Sequence, residues 1–140
     1  MSAGLHSDSV VELLMLTAAQ ESHCGRYIEQ INGPARGIFQ MEPESESDVF
    51  KNYLKYRPEL LEIVQEFIFP HHVGDLNLRA NLPYQIVIAR CMYQRFSEPL
   101  PDAGDIKGLA EYWKKYWNTP LGAGTVVEAI ENYRRYAVEV

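Results

Sequence analysis

The chain has 140 residues, 46% hydrophobic and 23% charged, with a formal net charge of −6. That is the size and balance of one globular domain, residues 1–140, with a real core. No apolar run approaches the roughly 18–20 residues that span a bilayer, and no Lys/Arg run supplies a basic face, so neither membrane insertion nor nucleic-acid binding is expected. The pairs Lys114-Lys115 and Arg134-Arg135 read as solvated helix surface. Met1 to Asp8 has no basic n-region, so no signal peptide is expected. Cys24 and Cys91 are too few for a disulfide framework and form no CxxC pair. Free buried thiols are expected, in keeping with synthesis in a reducing cytoplasm.

Six segments read as helical. The first runs from about Ser9 to Cys24. Ser9 and Glu12 match a capping box, and Val10, Leu13, Leu14, Thr17 and Ala18 form one stripe. Residues 25–42 are loop or a short hairpin, rich in Gly and Asn. A second helix opens between Pro43 and Ser45 and ends before Pro58. Pro58 starts a third, Glu59 to Phe69, which Pro70 stops. His71 to Leu76 is a turn containing Gly74. The fourth helix, Leu82 to Phe96, has Asn81 as its N-cap and Pro83 in its first turn. Ile86, Ile88, Ala89, Met92 and Phe96 are its expected buried residues. After a Pro/Gly/Asp loop, the fifth helix covers Ile106 to Trp117. Thr125 and Glu128 match a capping box at the start of the sixth. Strand signals are limited to a small hairpin around Ile31 to Met41. The fold class is all-α, or mainly α with at most that hairpin.

The chemistry concentrates at Glu21. It ends a buried helix pattern, and desolvation there would let it keep a proton at neutral pH. The alternative is a solvated helix-terminal acid. The two blocks Gln20-Glu21-Ser22 and Gly37-Ile38-Phe39-Gln40-Met41-Glu42-Pro43 together resemble the signature of lysozyme-like, soluble-lytic (SLT) type lytic transglycosylases. Tyr116-Trp117-Asn118, followed by Gly122 and Gly124, is similar to a third element of that family. It departs from the family pattern where Thr119-Pro120-Leu121 intervenes. His23, Cys24 and Arg26 also stand where plainer residues are expected.

The resemblance implies a lysozyme-like domain acting on peptidoglycan glycan strands, at the bond from N-acetylmuramic acid to N-acetylglucosamine. Glu21 would be general acid and then base. No cofactor is implied. Gly37 would permit a special backbone and close approach by sugar. Gln40 would bond an acetamido group or orient Glu21, or merely cap a turn. Ser22 and Asn118 would bond substrate or nearby backbone, and Phe39 would pack. Tyr112, Tyr116 and Trp117 are candidates for sugar stacking, with Tyr116 chosen; core packing is the alternative.

A hydrolytic lysozyme needs a second carboxylate, about 5–5.5 Å away if retaining or about 6.5–9.5 Å if inverting. Glu42 and Asp48 are the candidates; with Glu44 and Glu46 they also suit a helix start. His71-His72 and His23-Cys24 lack metal-ligand spacing, so no metal is assigned. A Cys-His nucleophile has no supporting context. The rival class is a non-catalytic structural or assembly protein on the same scaffold. The −6 charge would repel an anionic polymer and lends that rival weight. With no secretion signal in view, the middle reading is a phage-type enzyme delivered by a virion or released after membrane permeabilisation, with tail or virion proteins as further partners; a tethered enzyme has less need of steering.

Overall fold

A computed structural model describes residues 4–70 and 75–139. The chain is all-α. Helix α1 covers Asp8–Ser22, α2 Pro43–Asn52, α3 Pro58–Glu66, α4 Leu76–Ala80, α5 Leu82–Gln94, α6 Ile106–Trp113 and α7 Val126–Tyr133. A 3-10 turn, Leu54–Tyr56, follows α2. Single π-helical stretches, Lys114–Asn118 and Arg134–Val138, extend α6 and α7.

Helix α1 buries the whole predicted stripe, and Leu16, Ala19 and Ser22 besides. Its cap is Ser7, whose extended backbone lets the hydroxyl accept from the Val10 amide at 3.2 Å. The Ser9–Glu12 box therefore does not form. Glu12 instead accepts from the Tyr133 hydroxyl at 2.9 Å and from the Gly104 amide, tying α1 to α7 and to the loop before α6. The helix stops two residues earlier than expected. His23 and Cys24 both take left-handed backbone, φ 51° and 56°, and return their amides to Ala19 and Ala18 carbonyls. This is a helix-ending geometry usually left to glycine.

The expected hairpin is only a pair of isolated antiparallel bridges, Glu29 to Arg36 and Arg36 to Met41. No strand occurs among the described residues. Helix α2 begins at Pro43 and ends at Asn52, short of the expected limit, and the 3-10 turn takes over. Helix α4 is not predicted by the sequence; five residues are too few for periodicity to register. The Asn81 side chain caps α5 by accepting from the Tyr84 amide at 3.2 Å. Ile88 and Ala89 are buried there as expected, but Ile86 faces out. The Thr125–Glu128 capping box forms in full. Cys24 and Cys91 are unbridged; Cys91 is buried and Cys24 half-buried. The His71-His72 pair and Gly74 lie outside the described residues.

The apolar residues gather in two clusters. One joins α1, α6 and α7 around Leu13, Leu16, Leu109 and Trp113. The other joins α2, α3, α4 and α5 around Val49, Leu54, Leu78 and Ile88. Trp117 packs against both. The seam it marks carries the cleft described next.

Candidate active site

A cleft of about 270 Å³ runs along the seam. Glu21 reaches it from the last turn of α1. Gln40 and Met41 come from the turn closed by the Arg36–Met41 bridge, Glu42 from just after it, Ser45 from α2, Met92 from α5, and Trp117 and Asn118 from the first π-helical stretch. The acid and the Gly-Ile-Phe-Gln bend, sixteen or more residues apart in sequence, thus share one wall.

Burial pushes the Glu21 carboxyl from 4.5 up to about 7. The one group pulling the other way is Trp113, whose indole Nε1 donates to Glu21 Oε1 at 3.2 Å and favours the ionised form. Tyr93 lies within electrostatic reach of Glu21. Its hydroxyl is 2.7 Å from Thr17 Oγ1. Thr17 has a single proton and donates it to the Leu13 carbonyl at 2.8 Å, so Tyr93 must be the donor in the pair. The tyrosine proton is therefore committed to Thr17. Glu21 sits poised to be half-protonated near neutrality, on a helix fixed by buried residues.

The bend is held by its own polar groups. Gly37 has φ +80°, which favours glycine. A Cβ there would stand 2.1 Å from the Leu78 carbonyl oxygen and 2.4 Å from Gln85 Oε1. The close approach that requires glycine is thus by α4 and α5, not by the cleft. Gln85 Oε1 accepts from the Ile38 amide at 2.8 Å. Ser22 is buried, accepts from the Gly25 amide at 2.9 Å, and has both the Ala18 and Ile38 carbonyls within donating distance, at 3.1 and 2.5 Å. It ties the end of α1 to the bend, the backbone alternative of the two expected for it, and does not line the cleft.

Gln40 lines the cleft, but its amide nitrogen donates to the Gly37 carbonyl at 2.9 Å and to the Tyr27 carbonyl at 3.2 Å. The turn-capping alternative therefore holds for its donor. Asn118 also lines the cleft. Its Oδ1 accepts from Lys114 Nζ at 2.6 Å, and the same ammonium reaches the Gly122 carbonyl at 3.0 Å. A Cβ at Gly122 would come within 2.6 Å of Asn118 atoms, so that glycine lets the following turn fold over the asparagine.

Of the three aromatic candidates, Trp117 is the one on the cleft wall. Tyr116 stacks on Phe96 at 4.3 Å and leans on Tyr112, away from the cleft. Both side chains leave the same π-helical stretch, and the Phe96 and Tyr112 rings take up Tyr116. The two carboxylate candidates also separate. Glu42 lines the cleft as the residue before α2, with no side-chain capping bond. Asp48 is bound by Arg95 and Asn52, which hold its carboxyl below the usual range, and lies off the cleft.

His23 and Arg26, the departures noted beside Glu21, form an anchor. The His23 ring stacks on Tyr136 at 4.2 Å and the Arg26 guanidinium lies 4.9 Å from the same ring. Burial pushes the Cys91 thiol up to about 12, which leaves it unreactive.

Compared with protein-family models, with curated proteins and with solved structures, the chain matches none.

Sequence reading misses Trp113 as the partner of Glu21, and Gln85 as the holder of the bend. The signal for Gln85 is there: one amide inside the apolar run Tyr84-Gln85-Ile86-Val87-Ile88 needs a buried partner. Trp113 carries no such signal, because an aromatic at helical spacing reads equally well as core.

Proposed function

We propose that the protein is a lytic transglycosylase that cleaves peptidoglycan between N-acetylmuramic acid and N-acetylglucosamine. The observation that carries this is the Glu21 carboxyl, held up at about 7 in a cleft beside Gln40, Trp117 and Asn118. The likeness of the Glu21 and Gly37–Pro43 blocks to lytic transglycosylases supplies the substrate.

Protonated Glu21 gives its proton to the glycosidic oxygen as the C1–O bond breaks. The resulting carboxylate takes the proton of the muramoyl 6-hydroxyl. That oxygen attacks C1 and closes a 1,6-anhydro ring. Glu21 ends protonated, ready for the next bond, and no water is consumed. Trp117 offers an apolar face for a sugar ring. In this reading the glycan strand is the partner, and a virion or tail assembly carries the enzyme to the wall.

The place of Glu42 on the same cleft favours one second reading: a hydrolase in which Glu42 is the other carboxylate. Sacculi incubated with the protein and with Glu21→Gln, followed by mass spectrometry of the products, test both. Anhydro ends support the transglycosylase and reducing ends the hydrolase. Glu21→Gln should lose about 10²–10⁴ in rate. No turnover by the unaltered protein favours a non-catalytic assembly role and contradicts the proposal.

A further inference from the structure

A second cavity, of about 530 Å³, is larger than the cleft and shares none of its residues. It forms where α2 passes through the 3-10 turn into α3. Tyr53, Tyr56, Arg57 and Glu59 line it. The Tyr53 ring is buried and the Arg57 guanidinium lies over it, 4.8 Å from its centre. Tyr56 is 71% exposed, with Lys55 Nζ 5.7 Å from its ring centre.

An exposed tyrosine beside a cavity offers a flat apolar platform with a polar tip. A guanidinium laid on a ring still has its in-plane N–H groups for a forked contact with a carboxylate. Among the described residues, Lys51, Lys55 and Arg57 enter no salt bridge. Of the three, Arg57 lines the cavity, together with one carboxylate, Glu59, in the first turn of α3; Lys55 reaches its rim through the Tyr56 ring. In a chain of net charge −6, the run Lys51 to Arg57 carries three cations and no acid. The cavity therefore combines an aromatic surface with unspent positive charge.

Its position relates it to the cleft. Helix α2 starts beside Glu42 on the cleft wall and ends beside Tyr53. Ten residues at 1.5 Å rise set the two sites about 15 Å apart.

We propose that this cavity is a second binding site, for a carboxylate-bearing saccharide, which holds an anionic glycan one helix length from the cleft. The ring stacks on Tyr56 and the carboxylate pairs with Arg57, with Lys55 adding long-range attraction. The site gives an acidic protein a local means of holding an acidic polymer. The choice of a polymer reaching the cleft rests on the glycan-cleaving function; the match of aromatic and cation to a sugar carboxylate does not.

The test uses full-length Glu21→Gln protein and NMR titration with N-acetylmuramic acid, N-acetylglucosamine and a free stem peptide. Expected are shifts at Tyr56 and Arg57 with N-acetylmuramic acid, about tenfold tighter than with N-acetylglucosamine. Lys55→Gln/Arg57→Gln should abolish them. In the active protein the same double substitution should weaken low-salt co-sedimentation with sacculi stripped of their stem peptides, whose muramoyl carboxylates are free, and leave cleavage of a short soluble oligosaccharide unchanged. Equal response to both sugars, response to the peptide alone, or shifts that survive the double substitution would overturn the site. Absence of sacculus cleavage would count against Glu21 chemistry, whereas the titration decides the cavity by itself.

Discussion

The indole Nε1 of Trp113 donates to Glu21 Oε1 at 3.2 Å, joining the end of α1 to the end of α6. The bond fixes the carboxyl in place and opposes the effect of burial on its proton. Trp113→Phe keeps the packed ring and removes the donor. Without it, the ionised form loses a stabilising contact and Glu21 holds its proton to still higher pH. The alkaline limb of the pH–rate profile should move upward, with a lower maximal rate because the acid is less well aimed. An unmoved limb would show that the bond does not act on Glu21.

Burial of Glu21 also has a consequence for stability. Its carboxyl is near 4.5 in the unfolded chain and about 7 in the folded one. The folded state therefore binds the proton more tightly, and stability is full below about 4.5 and falls as pH rises through about 7. The loss at alkaline pH is on the order of 3 kcal/mol. Glu21→Gln cannot ionise and should escape it. Thermal denaturation should find the variant more stable than the parent at pH 8 and close to it at pH 4.

Gly37→Ala places a methyl group against the Leu78 carbonyl and Gln85 Oε1 while keeping a left-handed φ of +80°. Strain of that kind costs about 1–3 kcal/mol before any clash. Urea denaturation should show a lower midpoint with an unchanged slope, and cleavage should fall because the bend carries Gln40 and Glu42 into the cleft.

Ser22→Ala cuts the link between the end of α1 and the Ile38 carbonyl and leaves the Gly25 amide without its acceptor. A loss of about 1–3 kcal/mol is expected. Asp48→Asn, by contrast, touches an ion pair with Arg95 at the surface and should leave the denaturation midpoint nearly unchanged. It should leave cleavage within about twofold, since Asp48 is off the cleft. A collapse of activity in Asp48→Asn would return it to the role of second acid.

What can be read from the sequence follows from what each signal encodes. Apolar periodicity and local caps are properties of short windows, so the stripe on α1, the Asn81 cap and the Thr125 box are legible. The Glu21 environment is legible as a buried helix end. Three other features depend on partners distant in the chain. Gly37 needs Leu78 and Gln85 to explain it, Ser22 needs Ile38, and Tyr116 needs Phe96, on which it stacks. Helix α4 is too short to print a period, yet its Leu78 carbonyl is what forces glycine into the bend.

The most direct measurement is the titration of the Glu21 carboxyl carbon by NMR, assigned against Glu21→Gln. A midpoint near 7 is expected, with the proton retained across most of the acidic range. A midpoint at the ordinary value of 4.5 would contradict the claim, because a carboxylate already ionised at neutral pH has no proton to give to a glycosidic oxygen.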